Sequence, residues 1–298
     1  MATGTGSTTG TPSAGGTEMA AAGMRDLTEA DLAAAHGLSQ AVGWAHRLED
    51  WRFVHRLGRG FAVEHGGALV GTGMYWPFGT GFATLGLVIV SPDRQGAGIG
   101  RRLMTGLLDA IGPRTTLLNA TDAGAPLYEK LGFRATGTIH QHQGADFRVP
   151  QTPLPAGARI RAATQGDLPA LVALDAAAMG FARPHVLAAL LDVAEGAVLE
   201  QDGRAVGFAV CRAFGRGRVV GPIVAPDADG ARALVGHWMA RHHGGFLRVD
   251  IPEPTGLGPW LVATGLPAIA PAITMARGAP PVPQAGARLF GLINQALG

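Results

Sequence analysis

Cysteine is almost missing from these 298 residues: Cys211 stands alone, so no internal disulfide can form. That suits a reducing compartment, and the chain is expected in the cytoplasm. Cys211 closes the apolar run 206–211, a strand-like stretch in which a thiol serves as a small buried hydrophobe. Charge is scarce too. Charged residues make up 15% of the chain and the formal net charge is +2, with no dense basic tract, so no nucleic-acid partner is expected. No run of about 18 apolar residues occurs, and neither a transmembrane helix nor a membrane partner is expected. Nor does any cluster of His, Cys and carboxylates show metal-ligand spacing, so no metal is expected. The adjacent His242 and His243 would point apart on a helix. What the chain has is apolar content, 47%, enough for a core in two ordinary domains or one large one.

Glycine supplies the most informative stretch. After the apolar run 85–90 comes Ser91-Pro92-Asp93-Arg94-Gln95-Gly96-Ala97-Gly98-Ile99-Gly100-Arg101-Arg102, leading into a helical pattern. A buried strand thus delivers a glycine-rich turn to a helix N-terminus. The first N–H groups of that helix lack intrahelical partners and its dipole adds positive character, an arrangement that cradles phosphate. The glycines are spaced G-x-G-x-G, with Arg101 where a dinucleotide fingerprint needs its third glycine, and no lysine completes a P-loop. A second signature follows: Ala125-Pro126-Leu127-Tyr128-Glu129-Lys130-Leu131-Gly132-Phe133. Pro126 suits a helix's first turn and Gly132 its C-terminal stop.

Gln95-x-x-Gly98-x-Gly100 followed by the tyrosine helix ending in Leu131-Gly132-Phe133 resembles the GNAT superfamily, the acetyl-CoA-dependent N-acyltransferases. The resemblance implies an α+β fold with a mixed sheet and acetyl transfer to an amine by direct attack, with acetyl-CoA as cosubstrate. It implies that Gln95, Gly96, Ala97, Gly98, Ile99, Gly100 and Arg101 hold the pyrophosphate. Val88, Ile89 and Val90 would align the pantetheine arm by strand backbone. Asn119 and Thr121 would lie near the cofactor, and Tyr128 would protonate the departing thiolate. Many members place a glutamate on the strand before the turn as base; residues 84–90 hold no carboxylate, which leaves His46, Asp50 and Glu64 as candidates, His46 first. The aromatic clusters around Trp44, His46 and Trp51, and around Tyr75, offer either a pocket for a small amine or ordinary core. A non-catalytic acyl-CoA sensor and a protein-lysine acetyltransferase are the alternatives.

The chain also repeats itself. Met24-Arg25-Asp26-Leu27-Thr28 with Asp31 is echoed by Ile160-Arg161-Ala162-Ala163-Thr164 with Asp167, and Leu131-Gly132-Phe133 by Thr264-Gly265-Leu266. The offset is 136 residues at the arginines and 133 at the glycines, which argues for a tandem duplication. The expected division is a flexible tail over 1–23, a catalytic N-terminal domain over 24–148, a Pro/Gly-rich linker over 149–158 and a degenerate C-terminal copy over 159–298. In that copy Asp227 and Asp229 stand at the phosphate turn and Leu261 stands opposite Tyr128, so it is expected to have lost acetyl-CoA and to support the first copy or wall its acceptor pocket. The last segment, 288–297, reads as a short helix.

Overall fold

The computed structural model describes residues 23–154 and 157–298. The tail expected over 1–23 falls outside the described residues except for Gly23. The first half runs β1 (Gly23–Asp26), α1 (Leu32–Ala41), α2 (Leu48–Leu57), β2 (Arg59–His65), β3 (Ala68–Phe78), β4 (Phe82–Val90), α3 (Ile99–Ile111), β5 (Thr115–Ala120), α4 (Ala125–Lys130) and β6 (Arg134–Gly144). The second repeats that order: β7 (Ala158–Ala162), α5 (Leu168–Met179), α6 (Pro184–Leu191), β8 (Glu195–Gln201), β9 (Arg204–Phe214), β10 (Gly217–Ala225), α7 (Ala228–Arg241), β11 (Leu247–Pro252), α8 (Gly258–Ala263) and β12 (Ala268–Arg277). A thirteenth strand, β13 (Arg288–Gly291), has no counterpart in the first half and replaces the helix expected over 288–297.

Local chemistry accounts for the elements. Leu103, Met104, Leu107, Leu108 and Ile111 are buried at helical spacing, so α3 lays one apolar stripe on the sheet. Thr28 and Asp31 form a capping box, and Arg25 donates to Asp31 at 2.8 and 2.7 Å and also pairs with Glu64. Arg161 does the same with Asp167, at 2.8 and 2.7 Å, and with Glu200. The sequence echo is therefore an echo of hydrogen bonds, one at each outer end of the sheet.

All the strands join one sheet, in the order β1-β2-β3-β4-β5-β12-β6-β11-β10-β9-β8-β7, with β13 beside β10. The order reads alike from both ends once the halves are interchanged. Its centre is an exchange. β12, from the second half, pairs antiparallel with β5 of the first, and β6, from the first, pairs antiparallel with β11 of the second. Neither of β6's neighbours belongs to its own half. The halves also share a core, in which Phe181 stacks on Phe78 and Phe82 at 5.1 and 5.0 Å between ring centroids.

Candidate active site

The first half contains a strand edge without a partner. β4 and β5 pair in parallel only from Phe82↔Thr115 to Thr84↔Leu117, and beyond that they part. A β-bulge marks the parting. Thr72 faces Ile89 and Met74 faces Gly86, so Leu87 and Val88 together oppose Gly73. Leu87 takes a left-handed φ of +53°, a conformation costly for a branched side chain, and the Thr72 hydroxyl donates to its carbonyl at 3.0 Å. The bulge bends β4 away and leaves the backbone of 85–90 open on the β5 side. The chain then turns through Pro92–Arg94, with Gly96 at φ +83° and Gly98 at φ +77°. Gly98 is the N-cap of α3 and offers it no side-chain cap, so the N–H groups of the first turn face outward.

A cavity of about 360 Å³ opens at the splay. Its lining includes Leu85 to Val88 of β4, Leu118 and Asn119 of β5, Thr121 and Tyr128. The Tyr128 side chain is 9% exposed, and burial pushes its phenol up to about 12, so the hydroxyl is protonated at neutral pH. Its ring meets Phe133 edge-on at 6.0 Å. Asn119 is engaged at both ends of its amide: it donates to the Gln295 carbonyl at 2.9 Å and accepts from the Thr274 hydroxyl at 2.9 Å. It ties β5 to β12 and to the segment after β13. Ile89 is buried in the core, and the turn 95–101 lies past the cavity, at the end of β4.

Trp44, His46 and Asp50 also line it, with Phe214, Arg216 and Arg248 from the second half. Trp51 lines it too, yet it is 1% exposed and its indole N–H donates to Ser39 at 3.2 Å, so it is also core. Tyr75 packs in a core cluster and does not line the cavity. Glu64 is committed to Arg25 at the sheet edge. It does not line the cavity. Asp50 is 4% exposed. Burial alone would raise its carboxyl, but hydrogen bonds from Arg47 and the Gly215 N–H, with the Arg212 charge, hold it below the ordinary range.

His46 sits edge-on to Trp44, Trp51 and Phe214, with centroids 5.6, 6.4 and 5.6 Å away, and its Nδ1 is buried without a partner. Burial, reinforced by Arg248 and Arg212, drives the imidazole down to about 4. Unfolded, it protonates near pH 6.5; folded, it resists to about pH 4. Between those values the unfolded chain binds more protons, so stability falls as pH drops. Urea unfolding from pH 7 to 4 is expected to show His46→Phe losing less stability than the parent, by up to ~3 kcal/mol. Parallel curves would contradict this placement of His46.

The corresponding place in the second half is shut. β10 and β11 pair only at Arg218↔Leu247 and Val219↔Arg248 before they part. Into that gap goes β13, pairing with Ile223, Val224 and Ala225 of β10, while the Leu292 N–H donates to the Asp250 carbonyl of β11 at 2.9 Å. A Cβ on Gly221 would collide with the Leu292 carbonyl. The helix N-terminus is closed as well, because the Asp227 carboxylate accepts from the Gly230 N–H at 2.8 Å. Leu261 is fully buried. Having filled this gap, the chain continues into the first half's cavity, where Asn294, Gln295 and Ala296 form a wall. A Cβ on Gly86 would lie 2.9 Å from the Ala296 methyl, so the wall touches β4.

That wall, the glutamines Gln141 and Gln143 of β6, and Arg216 and Arg248 escaped sequence reasoning. No local pattern marks them; contacts between distant segments of the two halves bring them to the site.

Family profiles for the acetyltransferase (GNAT) domain match residues 56–135 and 171–291. The uncharacterized N-acetyltransferase YitH of Bacillus subtilis (strain 168) is 30% identical over 264 residues, covering 86% of this chain and 92% of its own. The crystal structure of an inferred acetyltransferase from Pyrococcus horikoshii is similar with a TM-score of 0.75 at 18% identity, over 93% of this chain and 96% of that one. A tandem GNAT protein from the clavulanic acid biosynthesis pathway gives 0.61 at 15% identity, over 88% and 99%. Two GNAT matches in sequence order, a full-length relative and this doubled sheet lead to one conclusion: the chain belongs to the GNAT superfamily of N-acetyltransferases, as a tandem member.

Proposed function

We propose that the first half is the catalytic one and moves the acetyl group of acetyl-CoA to the amine of a small molecule. The observation that carries this reading is the asymmetry between the halves. One has an open strand edge, an uncapped helix N-terminus and a neutral buried tyrosine around one cavity. In the other, β13 fills the edge, Asp227 caps the helix and a leucine replaces the tyrosine.

The residues present fit acetyl-CoA. The free backbone of 85–90 can pair with the amides of a pantetheine arm as a missing strand would. The N–H groups at the start of α3, with Gly96 and Gly98 in left-handed conformations, suit a diphosphate, and the exposed Arg101 adds charge. When bound, acetyl-CoA supplies the activated acetyl group. Tyr128, uncharged up to high pH, holds a proton where the sulfur departs. Asp50 is pinned by its arginines and His46 resists protonation, so the amine would enter already neutral, with the unpartnered His46 Nδ1 as a hydrogen-bond acceptor for its N–H. A cavity of about 360 Å³, walled by residues of both halves, suits a small acceptor.

Titration calorimetry tests the reading. One acetyl-CoA per chain is expected. Gly98→Ala forces a side chain onto φ +77° and should weaken binding about tenfold, whereas Asp227→Ala should leave affinity unchanged. No heat, or two equivalent sites, would overturn the assignment.

A further inference from the structure

We propose that the acceptor is an amine that also carries an acid group, carboxylate or phosphate, and that Arg216 of the second half receives that acid. The inference deepens the reading above and rests on it.

A second cavity shares Gly43 to His46 and Arg216 with the first and adds Gln40, Arg47 and Gly215. Across both cavities the cations are Arg47, Arg216 and Arg248, and Asp50 is the one lining carboxylate among the described residues. Asp50 is already spent on Arg47 and on the buried Arg212 behind it. Arg248 is held by Asp250 at 2.9 and 2.6 Å. Arg216 has no hydrogen bond or ion pair among the described residues, and it lines both cavities. His46, uncharged, cancels nothing, and its buried Nδ1 is a second polar group without a partner on the same wall. With Asp50 and Arg248 already paired, the lining carries a net positive charge at Arg216, which attracts an anion. An acceptor whose amine reaches His46 in this cavity can place an anion on Arg216, which lines the same cavity.

The backbone carrying Arg216 is fixed. Arg216 occupies the turn between β9 and β10, and that turn is bolted to the first half. The Gly215 N–H donates to Asp50 at 3.0 Å, Arg47 donates to the Ala213 carbonyl at 2.7 Å, and a Cβ on Gly215 would lie 2.9 Å from the Ala45 carbonyl. A guanidinium presented this way offers a planar fork of donors that matches carboxylate and phosphate oxygens. The half that has lost its own cofactor cleft would thus set what the other half acetylates.

The test is a charge-matched acceptor panel: L-amino acids with apolar side chains against their carboxamides, and phosphoethanolamine against ethanolamine, followed by release of free thiol from acetyl-CoA. Acids of one or both pairs are expected to be preferred at least about tenfold in kcat/KM, and whichever acid wins tells carboxylate from phosphate. Arg216→Glu should raise KM for the preferred acid about tenfold or more, with kcat less affected and acetyl-CoA affinity unchanged, and Arg216→Lys should keep most of the binding. Calorimetry of the same acids with coenzyme A present gives a readout independent of turnover, and Arg216→Glu should abolish that heat. Equal use of acids and amides, an Arg216→Glu variant that binds acids as the parent does, or a fall in its acetyl-CoA affinity would each overturn the proposal. Absence of any acetyl-CoA heat in the parent would instead strike the assignment of the catalytic half, and the acceptor proposal would fall with it.

Discussion

Tyr128→Phe is expected to lower kcat by about a hundredfold or more while leaving the affinity for acetyl-CoA within about twofold. The phenol is buried, lines the cavity beside the open edge of β4, and is kept protonated because burial holds it near 12. In the role proposed for Tyr128, removing one oxygen takes away a proton that matters only as the sulfur leaves, so the loss should fall on kcat. The ring itself stays, braced by Phe133 and by Gly124, where a Cβ would lie 3.1 Å from Tyr128 Cε2. Since a pKa raised above 10 keeps the donor form through neutral and mildly alkaline pH, the parent should show no loss of rate from tyrosine ionisation below about pH 10. Steady-state kinetics and calorimetry on the pair decide it. An unchanged kcat, or a fall in affinity that matches the fall in rate, would remove Tyr128 from its role.

The parts of this site that the sequence made legible are those in which backbone chemistry is local. In the turn before α3, Gly96 and Gly98 adopt the left-handed angles that only glycine takes cheaply, and Pro126 and Gly132 bound the tyrosine helix. The duplication was legible for the same reason, because a capping box and its arginine lie within seven residues of one another. Three kinds of feature were not. The exchange of β6 and β12 is a choice of partner, and apolar alternation reports which face of a strand is buried, not which strand lies alongside. β13 is four residues long, too short to show a period, and is a strand because β10 has an edge to fill. Glu64, Asn119 and Tyr75 are residue types that chemistry favours, and their actual neighbours (Arg25, Gln295 with Thr274, and the core) come from distant parts of the chain.

Arg183→Met is expected to destabilise the protein by ~3–5 kcal/mol, the cost of leaving a buried carboxylate without its partner. Arg183 and Asp175 are fully buried and joined by two bonds of 2.8 and 2.9 Å. The same guanidinium donates to the carbonyls of Leu297 and Gly298 at 2.7 and 2.9 Å, so it also anchors the far end of the wall formed by Asn294, Gln295 and Ala296. The two functions separate in a double variant. Asp175→Leu with Arg183→Met removes both charges and should recover most of the lost stability, since an apolar pair of similar volume replaces a desolvated ion pair. It does not restore the anchor. The double variant should therefore unfold near the parent's urea concentration yet show a raised KM for the acceptor, because the wall against Gly86 is free to shift, while acetyl-CoA still binds at the Gly98 turn, which Arg183 does not touch. A single variant as stable as the parent would show that the ion pair does not hold this part of the core. A stable double variant with unaltered acceptor KM would show that the segment keeps its place through Phe290, Leu292 and Ile293, all buried, without help from Arg183.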